Sequence, residues 1–162
     1  MVIRPALAQE VPLIQEMIRE LALFEKSPES AQVTLEDLIN AFFAPSPSVF
    51  CDFVEDETGA VVGMAIWFLN YSTWTGRHGI YLEDLYIRPT ARGRGYGTAV
   101  LQHLAQICVD RGYSRLQWWV LDWNERAIAF YQQLGAIAMD EWTTMRVEGP
   151  ALNSLSLTSK NQ

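Results

Sequence analysis

The amino-acid sequence predicts an α/β fold in which a mixed, strongly twisted sheet is flanked by helices. Three features carry that expectation. Apolar residues recur at helical spacing from Val11, two β-rich runs are joined by a tight-turn sequence at Asp56 to Gly59, and a strand gives way to a helix across a glycine-rich loop.

Each element has its own signal. Met1 to Arg4 reads as a short strand, and from Val11 the residues Ile14, Ile18 and Leu21 mark one helix face. Ser27 to Ala31 reads as loop, and a second helix over Leu35 to Phe43 is closed by Pro45 and Pro47. Val49 to Glu55 and Ala60 to Leu69 form a predicted hairpin about Asp56-Glu57-Thr58-Gly59. Ile80 to Ile87 is the next strand, and a helix runs from about Thr98 to Asp110. Ser114 to Leu121 is β-branched and aromatic enough for another strand, Asn124 suits the cap of a helix ending at Gly135, and two last strands are expected over Ala136 to Val147. The result is about six to seven strands and about four helices in one domain over residues 1–149, followed by a polar tail, 150–162, with weak signals for order.

Composition narrows the function classes. The chain has 162 residues, 49% of them hydrophobic and 19% charged, which is ordinary globular usage. Twelve Lys and Arg stand against 19 Asp and Glu, a net charge of -7 that repels phosphate backbones and attracts cations, so nucleic acid is not an expected partner. The longest apolar run, Val61 to Leu69, falls well short of the roughly 20 residues a bilayer span needs, and no membrane association is expected. No basic-then-apolar segment opens the chain, and Cys51 and Cys108 are too few for a disulfide framework or a zinc site, so a cytoplasmic location without a metal is expected.

The loop Arg92-Gly93-Arg94-Gly95-Tyr96-Gly97, continuing into Thr98, is the main chemical signal. At a strand-to-helix junction its backbone N–H groups and the positive helix end converge on one spot that suits an anion. Glycines let the backbone approach closely, and Arg92 and Arg94 add charge-assisted bonds to phosphate. The Lys-Ser/Thr ending of a nucleoside-triphosphate loop is missing, as is the ribose-binding acid of a dinucleotide fold. A glycine-rich turn carrying two solvated arginines is the plain alternative.

Arg92-x-x-Gly95-x-Gly97 after the strand Leu82 to Ile87 resembles the acetyl-CoA signature of the GNAT N-acetyltransferase superfamily. A second block, Trp123-Asn124-Glu125 followed by Ala129-Phe130-Tyr131 and Leu134-Gly135-Ala136, extends the match. Val2-Ile3-Arg4-Pro5-Ala6, Glu20-Leu21-Ala22 with Phe24-Glu25, and Tyr81-Leu82-Glu83-Asp84 resemble the spermidine/spermine (diamine) and thialysine acetyltransferase subgroup. The resemblance implies a GNAT-type sheet, acetyl-CoA as cosubstrate, a homodimer, and direct transfer of acetyl to a small cationic amine.

By resemblance, Leu85, Tyr86 and Ile87 pair with the pantetheine arm, while Asn124 and Tyr131 belong to the cofactor side. Glu83 matches the base that takes the amine proton through water, and Tyr131 the acid that protonates the departing thiolate. A phenol that is neutral at pH 7 suits that task, although spacing alone fits a core aromatic equally well. Glu83 and Asp84 are adjacent acids in an apolar strand, where alternation puts them on opposite faces of the sheet and one towards a cleft. Phe24, Glu25, Trp74, Asp122, Trp123 and the Asp140-Glu141 pair fall in or beside acceptor-side segments; their acids read alternatively as a solvated face. The chain departs from the subgroup around Thr73 to Ile80 and at Lys26-Ser27-Pro28, which leaves polyamine, diamine and thialysine-like amino acid open as acceptors. A protein amino group and a non-catalytic acetyl-CoA sensor are the alternative functions.

Overall fold

The computed structural model of the chain describes residues 1–157, which fall into two compact units divided after Leu121. The first unit runs β1 (Val2–Pro5), α1 (Val11–Phe24), α2 (Leu35–Phe43), β2 (Val49–Glu55), β3 (Val61–Ser72), β4 (Arg77–Ile87), α3 (Tyr96–Asp110) and β5 (Leu116–Trp118). The second holds α4 (Glu125–Gln133) and α5 (Gly149–Leu157).

The sheet order is β1-β2-β3-β4-β5, antiparallel throughout except for the parallel pair β4–β5, so the predicted mixed α/β class is observed. Strand alternation sends Cys51, Phe53, Met64, Ile66 and Tyr86 into one core with Ile14 and Met17 of α1 and Leu38 and Phe42 of α2. On the other face, Asp52 is buried; Trp67 Nε1 donates to its Oδ2 at 2.8 Å, and His103 Nε2 of α3 lies 3.5 Å from the same oxygen. A buried carboxylate is costly unless it is partnered, and here the two partners join β2 to β3 and α3.

Local chemistry explains the helix ends. Thr34 caps α2 through a reciprocal box, its Oγ1 accepting from Asp37 N–H at 3.1 Å and its own N–H donating to Asp37 Oδ2 at 2.9 Å. Beyond α1, Lys26 N–H donates to the Leu23 carbonyl at 3.2 Å and Ser27 N–H to the Ala22 carbonyl at 2.9 Å, the Schellman pattern. Lys26 occupies the left-handed position with φ 63°, where a side chain costs roughly 1–2 kcal/mol relative to the right-handed form. Gly135 takes the corresponding place after α4, with φ 89°, as its sequence position predicts.

Three sequence expectations are corrected. Among the described residues the sheet has five strands rather than six to seven, because Ala136 to Val147 forms no ladder; Ile137, Met139, Met145 and Val147 are exposed there. Among the described residues the α-helices number five rather than about four, because the tail coils into α5, where Ser154 and Ser156 hydroxyls donate to the Pro150 and Asn153 carbonyls. The rest of that tail, 158–162, lies outside the described residues. Finally, the strand expected over Ser114 to Leu121 shrinks to Leu116–Trp118, the residues that stand in ladder register with Ile80, Tyr81 and Leu82 of β4, while Ser114 N–H still donates to the His78 carbonyl at 2.8 Å.

Gly63 tests the packing of the central strands. A Cβ there would sit 2.6 Å from the Tyr86 carbonyl oxygen and against the Ile87 side chain. Gly63→Ala is therefore expected to destabilise the chain by about 1–3 kcal/mol in urea unfolding. An unchanged unfolding midpoint would show that β3 and β4 yield at this point.

Candidate active site

β4 ends where the chemistry begins. Its partner β5 matches only Ile80, Tyr81 and Leu82, so from Glu83 to Ile87 the β5-facing edge of β4 has no strand partner among the described residues. The edge leads through a short 3-10 turn at Pro89–Ala91 into the glycine loop. Gly93 and Gly95 have φ of 78° and 84°, values a side chain would resist, and Gly95 stands at the N-cap of α3 with no side-chain cap. The first N–H groups of α3 thus lack intrahelical partners, and together with the helix dipole they favour an anion. Arg94 is exposed beside this turn, while Tyr96 is buried and its hydroxyl lies 3.4 Å from Glu57 Oε2.

A β-bulge sets the acids. Ile66 pairs with Asp84 and Trp67 with Leu82, so Glu83 is the extra residue on β4. The bulge inserts Glu83 as an exposed residue without a cross-strand partner and breaks the alternation between Leu82, which pairs with Trp67, and Asp84, which pairs with Ile66. It also turns Asp84 onto the face shared by Ile66, Cys51 and Tyr86. The sequence carries no bulge signal such as glycine at this point.

Burial pushes the Asp84 carboxyl up to about 7, helped by the negative charges of Glu83 and Glu25. Glu25 as a residue is exposed, yet partial desolvation of its carboxyl raises its pKa as well. Glu25 and Glu83 therefore both act electrostatically on Asp84. Phe24 sits at the end of α1 beside Glu25, and Arg92 is held against it, with Cζ 4.6 Å from the Phe24 ring centroid. Trp74 lies in the turn between β3 and β4 with 89% of its surface exposed.

In the second unit Asn124 caps α4, its Oδ1 accepting from Ala127 N–H at 3.3 Å, as its place in the sequence suggests. Tyr131 lies on α4 with its ring 5.2 Å from that of Phe130. Asp122, Trp123 and Glu141 are exposed. Among the described residues no group of His, Cys, Asp or Glu is arranged to hold a metal ion, and no helix is long and apolar enough to cross a membrane.

The raised Asp84 pKa has a stability consequence. The folded chain keeps a proton on Asp84 where the unfolded chain, with a carboxyl near ~3.9, has lost it, so this group's contribution falls as pH rises from about 4 through about 7. Asp84→Asn, which removes the ionisation, is expected to raise the Tm at pH 8 and to leave it nearly unchanged at pH 4. An equal effect at both pH values would contradict the raised pKa.

Comparison with known proteins agrees with this architecture. Residues 14–136 match the Acetyltransferase (GNAT) family. The thialysine N-epsilon-acetyltransferase of Mus musculus is 37% identical over 95% of this chain and 96% of its own length. A spermidine/spermine N(1)-acetyltransferase-like protein of Homo sapiens is 31% identical over 83% of this chain and 20% of its own. Among solved structures, an integron cassette protein from the mobile metagenome of V. cholerae superposes with a TM-score of 0.80 at 25% identity, covering 97% of this chain and 98% of that one. On a matched segment this long and a likeness this close, the chain belongs to the GNAT acetyltransferase family.

Proposed function

We propose that this acetyltransferase moves the acetyl group of acetyl-CoA directly to a primary amine of a small cationic acceptor: a polyamine, a diamine or a thialysine-like amino acid. One observation carries the reading. The edge of β4 that has no strand partner among the described residues leads through the Pro89–Ala91 turn to left-handed glycines and the open N-terminus of α3, with Glu83 and Glu25 acting electrostatically on Asp84 at that edge's start. The names of the relatives, which act on thialysine or resemble spermidine/spermine acetyltransferases, support the acceptor class.

In this reading the N–H groups of residues 93–98, together with Arg94, take the cofactor phosphates. Backbone groups of Leu85, Tyr86 and Ile87 pair with the pantetheine arm and polarise the thioester carbonyl, whose oxygen gains charge as the amine attacks. An ammonium with a pKa near ~10.4 must first lose a proton, and Glu83 takes it through water. Tyr131 returns a proton to the thiolate that leaves, so the C–N bond forms as the C–S bond breaks. Asp84 and Glu25 hold a cationic group of the acceptor, with Phe24, Trp74, Asp122, Trp123 and Glu141 as further acceptor-side groups and Asn124 on the cofactor side. Direct transfer fits the state of the two thiols: Cys51 and Cys108 are buried, and burial raises the pKa of both, that of Cys51 far above neutrality with help from Asp52.

We also propose a cytoplasmic homodimer. Exposed Ile137, Met139, Trp142, Met145 and Val147 in the second unit offer apolar surface of the kind a partner copy covers. Sedimentation at micromolar concentration is expected to give twice the chain mass, and a monomer there would remove the dimer from the proposal.

Thiol release from acetyl-CoA, measured with spermidine, a short diamine, thialysine, lysine and a peptide, tests the function. One of the free amines is expected to be acetylated, with Tyr131→Phe and Glu83→Gln each lowering kcat by about 10²–10⁴-fold. Release with the peptide alone would move the function to protein acetylation. The acceptor kcat/KM should rise with pH through about 7 as Asp84 ionises and attracts the cation. In Asp84→Asn that step should flatten.

A further inference from the structure

Two arginines flank the 3-10 turn before the glycine loop, and both reach α1 rather than the loop's open side. Arg88 is paired with Glu16 and, at 3.3 Å through Nε, with Glu20. Arg92 lies over the Phe24 ring at 4.6 Å and within 5.8 Å of the Tyr86 ring, while its Nε donates to the Ile87 carbonyl at 2.9 Å. Glu16, Glu20 and Phe24 are spaced four residues apart, so they form one stripe along α1, and Arg88 and Arg92 meet that stripe in order.

The stripe ends at the acceptor side. Phe24 leads directly into Glu25 at the helix cap, and the next residue is the left-handed Lys26. A planar guanidinium stacked on an aromatic ring while its Nε is bonded to a carbonyl is fixed in direction as an ammonium would not be. From this arrangement we propose that Arg92 is a positioning residue for the acceptor side: by clamping Phe24 to the end of β4 it sets Glu25 beside Asp84, and it is not a principal ligand of the cofactor phosphates. The proposal rests on the acceptor site described above and names what holds it in place.

Three measurements on Arg92→Ala and Phe24→Ala, with Arg94→Ala for comparison, decide the matter. CoA affinity by calorimetry should change by less than about threefold in the first two variants and fall by about tenfold or more in Arg94→Ala. Acceptor KM should rise by about tenfold in both, with kcat lowered far less, and the double variant should be no worse than either single one. Carboxyl NMR should show the Asp84 titration midpoint moving down in both as the Glu25 charge moves away. Arg92→Lys, which keeps the charge without the flat fork, should recover little.

A tenfold loss of CoA affinity in Arg92→Ala with the acceptor KM unchanged would overturn the proposal. So would an Asp84 midpoint that stays put. If the wild type acetylates no amine, the proposed acceptor class falls by itself, while CoA affinity and the Asp84 titration still decide the role of Arg92.

Discussion

β4 is hydrogen-bonded to β3 from Arg77 to Ile87 but to β5 only through Leu82, and this unequal pairing governs the rest of the molecule. A strand that loses one neighbour presents backbone donors and acceptors that must find another partner. Such an edge is a liability unless something covers it. Here it terminates in a turn whose glycines leave the helix N-terminus without a side-chain cap, so the same backbone supplies both a row of hydrogen-bonding groups and a helix end that favours negative charge.

The bulge at Glu83 falls where β5 stops pairing. One inserted residue re-aims everything after it: Asp84 and Tyr86 join the face covered by α1 and α2, and without the insertion they would face the opposite side with α3. The face covered by α1 and α2 thus carries both core side chains and the candidate site's Asp84. Tyr86 belongs to the apolar cluster two residues from a carboxylate whose pKa reaches about 7. Holding Asp84 near neutrality costs stability at high pH, and a cation bound there would recover part of it.

α1 ties the two functional regions together within the first unit. Its apolar side, with Ile14 and Met17, is committed to the core, while Glu16, Glu20 and Phe24 engage the arginines that precede the glycine loop. The Schellman turn at its end uses Lys26 in a position where glycine is usual, so the α1 exit retains some backbone strain next to Glu25.

By itself, the sequence determined the local elements and the family. Periodicity located α1, Pro45 and Pro47 marked the end of α2, the Asp56 to Gly59 turn located the β2–β3 hairpin, and Asn124 and Gly135 marked the ends of α4, because caps, turns and helix faces are written in neighbouring residues. The glycine loop and the Asn124–Tyr131 block pointed to the acetyltransferase family through short motifs of the same local kind. Only the tertiary structure decided the bulge that assigns Asp84 its face, the point where β5 leaves β4, the absence of a ladder over Ala136 to Val147, and the turn of Arg92 towards Phe24. Each depends on which distant segment is available to pair or stack, and that partner is supplied by the folded chain rather than by the residues on either side.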